Sequence, residues 1–264
     1  MYDIHNHILA GIDDGCDNFE TSIQMCKTAR NDGIRNIVAT PHYIPGYSSN
    51  PSAQIIKDMV KELNDNAEKQ DIGVNIFTGM EVFISPNLPE LYKSGEILTL
   101  NDSRYMLVEL PLHNLPIYID QVMFRLQVCG VVPVIAHPER NRLLRKNPKK
   151  MVEMADRGIL FQINAGSFKG IFGEKVREFA FHLLAHGLVH LVASDAHSNS
   201  VRRPEIKEVY EIIRMRDWSR FERIVENSYK IIWNKEITSE HIVMQDKKKT
   251  NFNLMHLLDT VIGK

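Results

Sequence analysis

Val131-Val132-Pro133-Val134-Ile135-Ala136-His137-Pro138-Glu139-Arg140 runs from six apolar residues straight into an imidazole, a carboxylate and a guanidinium. An apolar run without polar alternation reads as a strand buried on both faces, the habit of parallel sheets covered by helices. The polar tetrad then falls at the strand's downstream end, where parallel α/β folds carry their chemistry. Ile37-Val38-Ala39, Ile159-Leu160-Phe161-Gln162-Ile163 and Leu188-Val189-His190-Leu191-Val192-Ala193 are runs of the same kind, and residues 2–5, 74–78 and 106–110 read as weaker strands. Helical stretches fill the intervals at about 19–32, 52–70, 117–129, 148–157, 174–187 and 204–215. Gly33, Gly130, Gly158 and Gly187 each stand between a helical stretch and the next strand, as glycines past a helix end should. Seven β-α repeats follow, which predicts an α/β barrel. Residues 220–233 read as a long amphipathic helix packed outside it, 246–264 as a C-terminal tail beyond a single domain of 1–245. Lys247-Lys248-Lys249 reads as a solvated linker there, and 252–262 as a short apolar segment expected to dock on the core, with self-association and partial disorder as the alternatives.

Strand after strand ends in the same residue types. Asp3-Ile4-His5-Asn6-His7 opens the series, followed by Thr40-Pro41-His42, Gly79-Met80-Glu81, Val108-Glu109-Leu110, the His137 block and Ser194-Asp195-Ala196-His197. In a parallel barrel these ends converge on one rim, so residues nearly 200 positions apart share one cluster. His5 and His7, two apart on a strand, leave the same face, and Gly11-Ile12-Asp13-Asp14-Gly15 turns two carboxylates back toward them. Glu81 and Glu109 directed into one mouth repel unless a cation lies between them. Imidazole mixed with carboxylate suits Mn, Fe, Zn or Co better than Ca, which takes all-oxygen shells. The pattern predicts a metal-dependent hydrolase. His190 reads as a hydrogen-bonded core residue, His182 and His186 belong to the outer helical layer, and His113, His241 and His256 lack partners at ligand spacing.

Lys and Arg total 32 against 33 Asp and Glu, a formal charge of -1, so nothing global draws the chain to nucleic acid or an anionic membrane. No apolar run approaches a membrane span. The first residues lack a basic and an apolar region, which excludes a signal peptide. Three cysteines at irregular spacing fit neither a disulfide frame nor a CxxC site. A cytoplasmic setting follows as the expectation.

These motifs resemble the PHP (polymerase and histidinol phosphatase) superfamily. More narrowly, Asp3-Ile4-His5-Asn6-His7-Ile8-Leu9, Gly11-Ile12-Asp13-Asp14-Gly15, Ala39-Thr40-Pro41-His42-Tyr43, Ala136-His137-Pro138-Glu139-Arg140, Gln162-Ile163-Asn164-Ala165-Gly166-Ser167 and Ala193-Ser194-Asp195-Ala196-His197-Ser198 resemble bacterial PHP-type protein-tyrosine phosphatases of capsule and exopolysaccharide loci. The likeness covers roughly residues 1–235. Ala10 stands where that family often has proline. The resemblance implies a distorted TIM-like (β/α)7 barrel and three divalent metal ions, with manganese foremost and Fe, Co, Zn or Mg as the alternatives. His5, His7, Glu81 and Asp195 would hold the first ion, Glu81 bridging to a second completed by Glu109 and His137. A third would use Asp14, with Asp13 the alternative, together with His42 and His197. Arg140 and one of Arg202 and Arg203, preferably Arg203, resemble the family's phosphate-binding arginines.

The chemistry implied is in-line attack on phosphorus by a water of lowered pKa, with a phenolate of pKa about 10 leaving and His42 available as a proton donor. No cysteine has an arginine six positions on: Ser22, Asp32 and Ile135 stand there, so thiol chemistry is excluded. The substrate implied is phosphotyrosine on a bacterial tyrosine kinase governing polysaccharide export. Arg140, Arg142, Arg145, Lys146, Lys149 and Lys150 form a basic stretch suited to a multiply phosphorylated chain, and Ile44, Tyr47 and Phe168 or Phe172 would line a slot for the ring. The alternatives are a small-molecule phosphatase of the histidinol-phosphate type and a non-catalytic module that docks on the kinase.

Overall fold

In the computed structural model, which describes residues 1–238, strands and helices alternate as the apolar runs require. The strands are β1 (Tyr2–Asn6), β2 (Asn36–Ala39), β3 (His42–Tyr43), β4 (Asn75–Thr78), β5 (Glu81–Phe83), β6 (Tyr105–Glu109), β7 (Val132–Ala136), β8 (Leu160–Asn164) and β9 (Leu191–Ala193). The helices are α1 (Phe19–Asp32), α2 (Ala53–Lys69), α3 (Leu88–Lys93), α4 (Ile119–Val128), α5 (Arg142–Lys146), α6 (Lys149–Asp156), α7 (Ala165–Phe168), α8 (Glu174–Ala185), α9 (Lys207–Arg216) and α10 (Trp218–Ile232). Their starts follow from capping chemistry. Asn18, Ser52, Asn141 and Asp217 accept from the free N–H groups of α1, α2, α5 and α10. Gly33, at φ 94°, ends α1 in the left-handed region.

All strand pairings are parallel. One sheet has the order β1-β2-β4, the other β3-β5-β6-β7-β8-β9. β3 continues the path of β2 across Thr40-Pro41, and β5 that of β4 across Gly79-Met80. Proline explains the first break, since it offers no N–H to a ladder. Gly79 explains the second: a Cβ there would stand 2.8 Å from the Val38 side chain. An isolated bridge joins Asn6 to Ala196, with His7 N donating to the Ala196 carbonyl at 2.9 Å and Asp195 N to that of His5 at 2.9 Å.

Buried residues divide into two cores. One packs strand residues such as Ile37, Met106, Ile135, Phe161 and Val192 against the helices. The other is made by alternate strand residues alone, among them Leu107, Val134, Ala136, Leu160, Leu191 and Ala193, and is closed by Ile231 and Ile232 of α10. The amphipathic helix expected outside the strands thus ends by sealing their inner core. Asn101 Nδ2 donates to the Ile232 carbonyl at 2.9 Å and the Tyr105 hydroxyl to that of Lys235 at 2.6 Å, which fixes that turn beside the start of β6. Burying each isoleucine contributes about 1.5–3 kcal/mol, enough to explain why the helix end turns inward. The readings made for 246–264, His241 and His256 fall outside the described residues.

Candidate metal centre

The inner row of β6, β8 and β9 changes character along its length. Apolar Leu107, Leu160 and Leu191 lie toward the upstream ends. Continuing by twos leads to Glu109, to Gln162 and Asn164, and past Ala193 to Asp195. Period two keeps these on one face, so the apolar core runs directly into a buried polar floor. His137 and Asp195 then depart from extended geometry, with φ of 33° and 51°. Non-glycine residues seldom adopt such angles, and they concentrate where the surroundings hold a functional side chain in place.

Four ligand-type atoms meet at one point. His5 Nε2 lies 3.1 Å from His7 Nε2, 3.2 Å from Glu81 Oε2 and 3.3 Å from Asp195 Oδ1. His7 Nε2 is 3.3 Å from the same Glu81 oxygen and 3.5 Å from the same Asp195 oxygen. All four side chains are buried. His5 Nδ1 donates to Gln162 Oε1 at 2.9 Å and His7 Nδ1 to Asp13 Oδ2 at 2.7 Å, so each ring turns its Nε2 to the shared point, a lone pair once that nitrogen gives up its proton. Glu81 Oε2 and Asp195 Oδ1 have no hydrogen-bond partner although buried. Nitrogen and oxygen donors about 2.0–2.2 Å from an ion sit roughly 3.0–3.5 Å from one another. The donor set therefore fits a divalent cation of borderline hardness. His7 lies one residue past β1, two positions from His5, and its N–H still pairs with the Ala196 carbonyl at 2.9 Å.

Two further groups share these residues. His42 Nε2 and His197 Nε2 stand 3.3 and 3.4 Å from Asp14 Oδ1, and with His7 they form one candidate ligand cluster. Glu81 Oε1 receives His137 Nε2 at 2.9 Å while its other oxygen lies 3.1 Å from His42 Nδ1, and Glu109 lies 3.9 Å from both rings. The two adjacent aspartates take different places. Asp14 faces His42 and His197, whereas Asp13 sits behind the ring of His7 and accepts from Gly15 N and His42 N. A Cβ on Gly15 would come within 2.4 Å of the His7 carbonyl, so only glycine lets the loop return this closely.

Electrostatics follow from crowding. Burial opposes charge on His5 and His7, but Glu81 and Asp195, with Asp13 for His7, outweigh it and raise both pKa values. Burial likewise opposes ionisation of Glu81 and Asp195, and the facing imidazoles overcome it, holding both well below the carboxylate range. Hydrogen bonds from His197 and His42 hold Asp14 down as well. Burial, then the charge of Glu81, pushes Glu109 up. Protons thus balance the carboxylates where cations would, and cation uptake must release protons.

Arg140 Nη1 approaches Asp195 Oδ2 at 3.4 Å, and Arg202 Nη2 reaches the same atom at 2.5 Å. Both guanidiniums lie over the Phe172 ring, at 4.5 and 5.9 Å. The preferred arginine, Arg203, is not brought in: it is half-exposed and pairs with Glu205 at 3.0 Å. Phe168, 2 % exposed, belongs to the core and lines no slot, whereas Ile44 and Tyr47 are exposed beside His42. His190 accepts from Phe161 N at 3.1 Å as a core residue, and His182 and His186 meet at a tilt, ring centroids 4.2 Å apart, at the end of α8 and away from the cluster.

Gln162 and Asn164 carry a role that no spacing announced. Gln162 Oε1 accepts from His5 and, at 3.4 Å, from the His137 backbone. Its amide donates to Asn164 Oδ1 at 2.8 Å, and Asn164 Nδ2 donates to Asp195 Oδ2 at 2.5 Å. Fully buried Glu139 accepts from Asn164 N and from the Ser167 hydroxyl. β8 supplies no member of the clusters yet holds three of them, His5, His137 and, through Asn164, Asp195. The only signal in the sequence was a pair of amides two apart in an apolar strand.

The model of the family "Capsular polysaccharide synthesis, CpsB/CapC" matches residues 1–233. The putative tyrosine-protein phosphatase CapC of Staphylococcus aureus is 34% identical over 97% of this chain and 100% of its own. Tyrosine-protein phosphatase YwqE of Bacillus subtilis (strain 168) is 38% identical over 81% of this chain and 84% of its own. A solved structure from a study of YwqE of Bacillus subtilis and CpsB of Streptococcus pneumoniae, described as unique metal-dependent tyrosine phosphatases, superposes with a TM-score of 0.89 at 33% identity, covering 94% of this chain and 100% of that one. Sequence, fold and the converging ligand atoms agree: the chain belongs to the CpsB/CapC family of capsular polysaccharide synthesis.

Proposed function

We propose that this chain is a metal-dependent protein-tyrosine phosphatase acting in the cytoplasm on phosphotyrosine carried by a bacterial tyrosine kinase that governs capsular or exopolysaccharide synthesis. The observation that carries it is the meeting of the Nε2 atoms of His5 and His7 with the partnerless oxygens of Glu81 and Asp195. Three divalent ions, manganese foremost, are assigned to His5, His7, Glu81 and Asp195, to Glu81, Glu109 and His137, and to Asp14, His42 and His197. One domain of residues 1–245 holds all of these. The bridge between Asn6 and Ala196 supports a distorted barrel of seven strand segments, in which β2 with β3 and β4 with β5 each count once.

Bound divalent ions supply Lewis acidity and lower the pKa of a water near the phosphoryl group. The protein's own residues do the rest. Arg140 and Arg202, braced on Phe172 and anchored by Asp195, point charged donors where phosphoryl oxygens would lie. Arg202 takes the role expected of Arg203. His42, a quarter exposed at the mouth, is placed to pass a proton to the departing phenolate. That leaving group asks for little help, its pKa being about 10. The reading needs no thiol: Cys16 and Cys26 are buried, burial raising both pKa values, Cys26 to about 12, and half-buried Cys129 stands at the end of α4, outside the cluster.

The test is phosphate release from a phosphotyrosine peptide by metal-stripped protein, with and without Mn, beside His137→Ala. Mn-dependent release that the substitution removes is the expected result. No release from folded, Mn-loaded protein would overturn the reading, and histidinol phosphate would be tried next.

A further inference from the structure

The basic stretch after Arg140 does not act as one patch. Lys150 is consumed by Asp120, at 2.8 Å, and Glu153, and Arg157 joins the same Asp120. Arg142, Arg145 and Lys146 turn instead toward α8, where Lys175 joins them from 29 positions further along the chain. Together with Pro148, Glu178, Phe179 and His182 they line a pocket of about 730 Å³ between α5 and α8. Arg142, Lys146 and Lys175 are exposed and have no carboxylate partner among the described residues. Four permanent cations thus face one acidic side chain, Glu178.

This pocket is tied mechanically to the metal centre. Arg145 Nη1 donates to the carbonyls of Glu139, at 2.8 Å, and Arg140, at 2.7 Å, so the pocket wall is welded to the turn presenting Arg140. Arg142 follows Arg140 by two residues, which limits the distance between their backbones to about 7 Å. That gap is one an extended polypeptide spans in two or three residues, at about 3.3–3.6 Å per residue.

We propose that the pocket between α5 and α8 is a subsite for an anionic side chain flanking the phosphotyrosine of the substrate polypeptide. It rests on the phosphatase reading and deepens it, naming what recognises sequence beside the scissile group. Charge complementarity selects the occupant. Clustered, unpaired cations in a concavity attract carboxylate or phosphate and repel basic flanks. The volume falls within the roughly 300–1,000 Å³ of pockets that take small ligands, ample for a side chain. Removing these cations leaves the chemistry untouched, because none of the three exposed residues contacts the metal centre.

The experiment compares Mn-loaded wild type with a triple variant, Arg142→Ala, Lys146→Ala and Lys175→Ala. Three substrates are used: a phosphotyrosine peptide with acidic flanks, the same peptide with neutral flanks, and p-nitrophenyl phosphate. Each exposed contact is worth a factor of about two, so kcat/KM for the acidic peptide should fall about eight-fold, mostly through KM. Turnover of the neutral peptide and of p-nitrophenyl phosphate should hold within about two-fold, and added salt should erase the wild type's preference for acidic flanks. A triple variant that keeps the full acidic preference would overturn the subsite. If the wild type turns over none of the three, the phosphatase reading fails on its own. Fluorescence anisotropy of the labelled acidic peptide then still decides the pocket: equal binding by both proteins overturns it, and weaker binding by the variant sustains it.

Discussion

Replacing Gln162 by leucine removes hydrogen bonding from the floor of the metal centre with little change of volume. Gln162 is fully buried, and its amide meets His5 Nδ1, His137 N and Asn164 Oδ1. Leucine leaves the His5 ring free to rotate or to take the other tautomer, which would turn a proton instead of a lone pair toward Glu81 and Asp195. Asn164 in turn loses the donor that orients it toward Asp195. Groups of this kind, one shell behind metal ligands, typically change metal affinity by 10–100-fold, or about 1.4–2.7 kcal/mol. The unpaired Asn164 oxygen and His137 N–H each cost the fold about 1–3 kcal/mol. Mn affinity is read by competition with a fluorescent chelator, and stability by denaturant unfolding without metal. The expected result is Mn affinity weakened at least about ten-fold, with activity recovering at high Mn. Gln162→Glu, which keeps an acceptor for His5, should recover part of the affinity. Unchanged Mn affinity in the leucine variant would refute the claim that β8 orients the ligands.

Gly15→Ala should release Mn and lower phosphate release about ten-fold or more, because its Cβ would collide with His7; normal metal content in the variant would contradict this. His190 is held neutral with a pKa of about 4, by burial and then by Arg223, against 6.5 unperturbed. The unfolded chain therefore takes up the proton first, so this contribution is complete above about pH 6.5 and fades as pH falls toward 4, with about 2 kcal/mol lost by pH 5. Denaturant unfolding of wild type and His190→Asn between pH 7.5 and 5 checks it, and identical pH slopes would count against it. A chelator should abolish activity while iodoacetamide largely spares it, since Cys16 and Cys26 are buried and half-buried Cys129 ends α4 outside the cluster; the opposite pattern would point to a thiol nucleophile. Ile231→Asp should lower stability by about 3 kcal/mol or more by placing a charge in the inner strand core, and a melting temperature like wild type's would argue against that packing.

The clustered residues were legible because a parallel strand announces itself. An apolar run such as 131–136 must be buried on both faces, and whatever polar group ends it must lie at the downstream edge. Hence His5, Glu81, Glu109, His137 and Asp195 could be named from local pattern. The choice between Asp13 and Asp14 could not. Neighbours in one turn differ only in the direction of their side chains, and here the collision space around Gly15 aims Asp13 behind His7 and leaves Asp14 facing His197.

Local pattern reports which side of its own element a residue occupies, and so the sequence alone determined the alternating α/β architecture, the polar residues at the strand ends and the lack of an arginine six positions after any cysteine. It says nothing of which atoms from other elements stand opposite. Tertiary structure alone decided that Arg202 rather than Arg203 reaches Asp195, that α10 ends inside the inner core, and that Gln162 links His5, 157 positions away, to Asn164. It also gathered Lys175 to Arg142 and Lys146. The physical reason is common to all four. Periodicity is a property of a few consecutive residues, whereas a hydrogen bond or a charge pair depends on separations of about 3–4 Å that only the packing of distant segments sets.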